Sequence, residues 1–246
     1  MKILNRSKKS VVFFTFHKCA SILFAREVLG KIDSFTYRDL NRMENQGEDM
    51  LSFKLNVKNH LYGPVRIQGR IQPYITGNLP EILKCNCIFM IRDPRDLLVS
   101  QYYSYGWTHP VHDDPKMAQN LLENRAKIRS QTIDKYVINA ASSLLQDFKT
   151  QDGLYRLSKK PILLRYEDMI HSWDNFVKGL GTYLPLTSEV IEGLYKESRP
   201  NEEIDEKAHK RSGKTGSYLT ELKPETISNL SKLMKPVLER YAYPIN

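Results

Sequence analysis

Cysteine is scarce in this sequence, long apolar runs are short, and the loop where glycine would be expected has none. Each shortage removes a class of protein. Three cysteines among 246 residues, Cys19, Cys85 and Cys87, are too few and too odd in number for a disulfide framework, so a reducing compartment is expected. Cys85-x-Cys87 has no second pair to complete a four-ligand zinc site and reads as two small residues entering a strand. The longest purely apolar run near the N-terminus is 11–14, VVFF, far short of a signal-peptide core or a membrane span. The expectation is a soluble, cytoplasmic protein with no membrane partner. Repeats, low-complexity tracts and long blocks of one charge are also missing.

Charge is what the sequence has. Lys and Arg exceed Asp and Glu by 37 − 28 = +9, which favours an anionic partner. Acids are interleaved with the bases throughout, so a local anion pocket is expected rather than a nucleic-acid track. The length suits one sizeable domain, 1–246. Short β-rich runs at 11–16, 34–37, 65–68, 87–91 and 162–165 alternate with helical patterns beginning at Ser21, at Pro94, near Thr132, and after Tyr166 and Lys223. That alternation predicts an α/β fold, three layers deep, with a mainly parallel sheet flanked by helices. The stretch 199–217 is polar and almost without apolar anchors. It reads as a long exposed loop.

Two stretches carry chemistry. The first is 15-TFHKCAS-21, a loop after a strand and before a helix, the place where an anion docks. It fails the G-x-x-x-x-G-K-[ST] pattern of ATP sites. Lys18 and Ser21 are three apart, and no glycine occurs from position 10 to position 29. Cys19, Ala20 and Ser21 are small enough for close approach, and Ala20 can stand in for glycine if its φ need not be positive. Ser21 could cap the helix. The second stretch is 87-CIFMIRDPRDLLVSQYYS-104. There Arg92 ends a strand, Asp93 can cap the next helix, Pro94 suits its first position, and Ser100 follows two turns on. Ligands of open α/β sheets bind at the strands' carboxyl ends.

Together these residues resemble the sulfotransferases that use 3′-phosphoadenosine 5′-phosphosulfate (PAPS). The family's first loop, roughly T-x-P-K-[SG]-G-T-[TS], is similar to 15-TFHKCASI-22, and R-[ND]-P-[RK]-D-x-x-x-S is similar to 92-RDPRDLLVS-100. Y-E-D-[ML] appears as 166-YEDM-169 and R-K-G-x-x-G-[DS]-[WY] as 211-RSGKTGSY-218. The resemblance implies a P-loop-like sulfotransferase fold and in-line transfer of a sulfuryl group from PAPS to a hydroxyl or amine. The acceptor would be a small molecule or carbohydrate, the product 3′,5′-adenosine bisphosphate, and no metal would be required. It implies that Lys18 and Ser21, with the backbone of Cys19, Ala20 and Ile22, hold the 5′-phosphosulfate. Arg92, Ser100 and Arg211, with the backbone of Ser212 and Gly213, would hold the 3′-phosphate. Tyr166 would lie near the adenine, and 199–217 would close over the cofactor. Three positions depart from the pattern: Ala20 replaces a glycine, Ser212 replaces a lysine, and Leu23 replaces an aromatic.

Transfer to a hydroxyl needs a general base. The stretch 67-IQGRIQP-73, where many relatives place a histidine, has none. Asp39, in 36-TYRDLNR-42, is the leading candidate, with helix capping as its other reading. His60 is the second candidate, and His17 more naturally orders the loop. His109 and His112 imitate a metal pair but lack a regular scaffold around Pro110. Tyr102, Tyr103, Tyr105 and Trp107 could wall an acceptor pocket or simply pack a helix end. The competing reading is an ATP-dependent small-molecule kinase with Asp93 as a metal ligand.

Overall fold

The computed structural model describes residues 8–46, 48–69, 72–111, 114–201 and 213–245. Along the chain the elements run β1 (Val11–Phe16), α1 (Ser21–Glu27), β2 (Thr36–Arg38), α2 (Leu40–Asn45), β3 (His60–Ile67), α3 (Pro73–Gly77) and α4 (Leu79–Ile82). Then come β4 (Asn86–Ile91), α5 (Pro94–Tyr103), α6 (Pro115–Arg129), α7 (Ile133–Leu157) and β5 (Ile162–Arg165). The chain continues through α8 (Tyr166–His171), α9 (Trp173–Leu180), α10 (Ser188–Ser198), α11 (Tyr218–Glu221) and α12 (Pro224–Arg240). Two compact units emerge: residues 1–91 with 147–198, and residues 92–146 with 199–246.

The first unit holds the sheet, five parallel strands in the order β2-β3-β1-β4-β5. All six residues of β1 are buried, as a central strand covered on both faces requires. Alternation along the strand assigns the faces. Phe13 stacks on Phe24 of α1 at 4.8 Å. On the opposite face Phe14 stacks on Phe89 at 4.8 Å and Phe16 packs on Phe148 of α7 at 4.4 Å. Helices therefore cover both faces, the three-layer arrangement that the alternating pattern predicts. Burial of each such side chain is worth about 1.5–3 kcal/mol.

Parallel registry brings the strands' carboxyl ends to one edge. Phe16 lies level with Ile67, and Ile91 with Arg165. In this unit that edge carries His17 and Lys18, Asp39, Gln68 and Gly69, and Tyr166. β3 starts at His60, five residues before the expected start. The dipeptide Gly63–Pro64, a strand breaker by composition, sits instead in a bulge opposite Phe13, where the register jumps between Val12 and Phe14. Gly63 takes φ 139, and a Cβ there would come within 2.8 Å of the Phe13 carbonyl oxygen. A bulge also has no use for the N–H that Pro64 lacks.

In the second unit α11 and α12 pack on α5 around Leu97, Leu98, Leu230, Met234 and Leu238. The helix α6 shows no apolar stripe in the sequence because only Ile128 along it is buried. Its start is nevertheless well specified, since Asp114 accepts from the Met117 N–H at 2.8 Å and Pro115 occupies the first turn.

Candidate active site

The loop after β1 is built by its backbone. Lys18 (φ 66) and Ala20 (φ 56) both take the left-handed conformation, while Cys19 between them does not. Such alternation turns successive N–H groups to one side and makes an anion-binding concavity. The Thr15 hydroxyl donates to the Cys19 carbonyl at 3.0 Å, and the Cys19 N–H donates to the Phe16 carbonyl at 3.3 Å. Cys19 is fully buried, which pins the middle of the loop. Ala20 is thus not spared a positive φ, the condition under which alanine could replace glycine without cost. The strain is about 1–2 kcal/mol for an L-residue. Ala20 is also the residue that caps α1, with Ser21 as its first helical residue, so the hydroxyl of Ser21 is not the cap.

Beside this loop lies a cleft of about 240 Å³, walled by Ile22 and Ala25 of α1, by Pro64 and Arg66 of β3, and by Asp39, Asn41, Arg42 and Gln46. An Arg66 guanidinium nitrogen sits 3.5 Å from His17 Nε2. This contact ties one wall of the cleft to the residue preceding Lys18. Asp39 does cap α2, its Oδ1 accepting from the Arg42 N–H at 3.0 Å. A carboxylate has lone pairs to spare beyond one such bond. Burial first, and the Asp39 charge second, push the neighbouring Tyr37 phenol upward.

His60 is elsewhere. It opens β3 at the amino end, one residue before the level of Val11, so the length of β1 separates it from the Lys18 loop, roughly 15 Å or more at about 3.3 Å per residue. Its Nδ1 lies 2.8 Å from the Lys58 carbonyl and its ring stacks on Tyr62 at 5.6 Å. That placement sets His60, the second candidate base, apart from the Lys18 loop. Tyr166 is buried as the first residue of α8, at the carboxyl end of β5.

One carboxylate at the same edge escaped the sequence reading. Asp147 of α7 accepts from the Gly69 N–H at 2.6 Å, just past the end of β3, where Gly69 has φ 64. Burial pushes its carboxyl up to about 7, against the opposing pull of the Gly69 N–H. Phe148, the next residue, packs on Phe16. Asp147 interrupts the apolar stripe of α7, which is the one signal that could have found it.

In the second unit the stretch 92–100 organises a network. Arg92 is 6% exposed, and its Nη2 donates to the Lys214 carbonyl at 2.9 Å and lies 3.9 Å from Asp96 Oδ2. Asp96 accepts from the N–H groups of Gly216 at 2.7 Å and Tyr218 at 3.1 Å. Burial pushes its carboxyl upward while Arg92 opposes that shift. The motif therefore anchors the segment beginning at Gly213 (φ 68) and Gly216 (φ 74). Asp93 accepts from the Arg95 backbone N–H at 2.9 Å and from the Arg95 guanidinium at 3.0 Å and 2.7 Å. Both of its oxygens are engaged in holding Arg95 and the first turn of α5. Arg95 is completely buried, reaches Ser231 Oγ at 3.0 Å and lies 4.0 Å over the Tyr218 ring.

Ser100 is half-buried on α5. Arg211 and Ser212 lie outside the described residues, as do His112 and positions 202–212 of the expected covering loop. Tyr102 packs on Trp107 at 5.1 Å and on Tyr136 at 5.4 Å, and the Tyr103 hydroxyl donates to Glu221 at 2.6 Å. These aromatics pack the end of α5. Cys85 and Cys87 are buried, and burial pushes their thiols up to about 12 and about 11.

A family model described as "Sulfotransferase domain" matches residues 75–242. The match includes Arg92, Ser100 and Tyr166 and begins after the Lys18 loop and Asp39. No curated protein matches the chain by sequence. Among solved structures, mouse sulfotransferase SULT7A1 complexed with PAP is 13% identical, with 96% of this chain and 84% of that one covered at a TM-score of 0.56. Retinol dehydratase in a complex with retinol and PAP is 14% identical, with coverage of 94% and 81% and a TM-score of 0.51. At such identities the likeness is one of fold.

Proposed function

This chain belongs to the sulfotransferase domain family, and from that premise we propose that it moves a sulfuryl group from PAPS to the hydroxyl or amine of a small-molecule or carbohydrate acceptor. The observation that carries the reading is the loop 17–20. Left-handed Lys18 and Ala20 flank Cys19 just after the central strand, a backbone alternation that turns N–H groups to one side and suits an anion. The chemistry of two stretches fits the two ends of such a cofactor. In the first unit Lys18, Ser21 and the amides of Ala20 to Ile22 suit a phosphosulfate, and in the second unit the guanidinium of Arg92 with Ser100 and the backbone at Gly213 suits a 3′-phosphate. PAP in the two solved structures of similar fold supports the choice of cofactor.

The bound cofactor supplies the sulfuryl group and a phosphate leaving group. Lys18 would hold the phosphosulfate end and offer a positive charge to the leaving phosphate, an interaction that would strengthen toward the transition state. Asp39, in the cleft beside the loop, accepts the acceptor's proton. Arg66 and His17 hold the wall between them. Positioning and charge stabilisation supply most of the rate, by analogy with in-line phosphoryl transfer, and a sulfuryl group carries less charge than a phosphoryl group, so a metal clamp is not needed to neutralise it. Three buried cysteines without a disulfide fit a cytoplasmic setting.

The test is ligand-induced stabilisation. Metal-free 3′,5′-adenosine bisphosphate should raise the melting midpoint, since ligand binding to the native state stabilises it. Equal stabilisation by Mg·ATP, abolished by a chelator, would sink the reading.

A further inference from the structure

The cleft beside the Lys18 loop has a composition that selects its occupant. Five of its eight lining residues are polar or charged: Asp39, Asn41, Arg42, Gln46 and Arg66. Two arginines and one aspartate are among them. The apolar share is a narrow strip of Ile22, Ala25 and Pro64. At about 240 Å³ the cleft is smaller than the roughly 300–1,000 Å³ sites that enclose drug-sized apolar ligands. A large apolar acceptor such as the retinol held by one of the solved relatives has neither the volume nor the lining it needs here.

Building on the sulfotransferase reading, we propose that this cleft is the acceptor subsite and that it takes an acidic sugar, a saccharide bearing a carboxylate or sulfate group near the hydroxyl that receives the sulfuryl group. Planar guanidinium groups match the geometry of carboxylate and sulfate oxygens and can grip them in a bidentate way. Asn41 and Gln46 offer both donors and acceptors, as ring hydroxyls require. Asn41 is also tied to the fold by its amide, which donates to the Pro64 carbonyl, so one side of the cleft is held in place. Asp39 would repel the anionic group and meet a hydroxyl instead, which orients the sugar with its acceptor oxygen toward the base. The strip of Ile22, Ala25 and Pro64 suits the apolar face of a pyranose ring. Arg42 lines the cleft from α2, is exposed, and can be changed without opening the core.

The experiment titrates methyl glucuronide, a sulfated methyl glucoside and neutral methyl glucoside into the full chain saturated with 3′,5′-adenosine bisphosphate. The heat of binding is read for the wild type and for Arg42→Gln and Arg66→Gln. The charged sugars are expected to bind roughly tenfold or more tightly than the neutral one, the size of one charge-assisted hydrogen bond. Each substitution should pull that ratio toward unity. The carboxylate and sulfate arms tell which anion the cleft prefers. Equal affinities, no measurable sugar binding, or a preference that survives both substitutions overturns the proposal. Failure of the sulfotransferase reading looks different: the bisphosphate itself would not bind, whereas the sugar ratio reads the cleft alone.

Discussion

Replacing Ala20 by glycine should make the protein more stable, although glycine usually weakens a helix-proximal site. Ala20 holds φ 56 at the N-cap of α1, a conformation that costs an L-residue about 1–2 kcal/mol and glycine almost nothing. Against that gain stands the extra freedom of glycine in the unfolded chain, about 0.4–1 kcal/mol. The Ala20 side chain makes no capping hydrogen bond that would be lost, and glycine is the better N-cap of the two. The difference leaves a net stabilisation of about 0.5–1 kcal/mol, or roughly 1–4 °C in melting midpoint for a chain of this size. Thermal melts followed by far-UV circular dichroism would measure it. Ala25→Gly supplies the control, because Ala25 lies inside the same helix, where glycine costs about 1 kcal/mol. The two substitutions should move the midpoint in opposite directions. A lowered midpoint for Ala20→Gly would refute the strain assigned to this loop.

Asp39→Asn should keep melting and bisphosphate affinity, since asparagine caps a helix as well as aspartate, and lose turnover by roughly 10²–10⁴-fold. Undiminished turnover with an aliphatic alcohol would remove Asp39 as base, while His60→Ala should change turnover little. Arg95→Met strands the buried Asp93 and should cost about 3–5 kcal/mol in urea unfolding. The double variant Asp93→Leu/Arg95→Met should recover most of that loss, and an additive double loss would contradict the pairing. Asp147 is held protonated to about pH 7 in the folded chain, well above the about 3.9 of an unfolded aspartate. Its contribution to stability is therefore complete at low pH and is lost as pH rises from about 4 to about 7, because the unfolded state ionises first. Asp147→Asn escapes that loss, so its midpoint relative to wild type should climb across this window, and a difference independent of pH would contradict the assignment.

The sheet and the loop positions were legible because both are local. The run 11–16 is apolar but for Thr15 and rich in β-branched and aromatic residues, as a strand buried on both faces requires, and Pro94 after Asp93 marks a helix start without help from the rest of the chain. Lys18 was legible for the same reason: it falls between a buried strand and a helix. What a pattern of residues cannot express is which groups meet across long separations. Asp96 takes the N–H groups of Gly216 and Tyr218, and Asp147 takes that of Gly69, contacts spanning scores of residues. The strand entry of Gly63–Pro64 is of this kind too, since a bulge exists only against the partner strand that it faces. Ala20 is the sharpest case. Its residue type argues against the left-handed region, and only closure of the loop between the Thr15–Cys19 bond and α1 drives it there. Sequence alone determined the order of elements, the expected anion site and the family motifs. The tertiary structure decided which carboxylate lines the cleft, which ones hold backbone N–H groups across long separations, and the size and lining of that cleft, because those depend on packing and on burial of charge rather than on spacing.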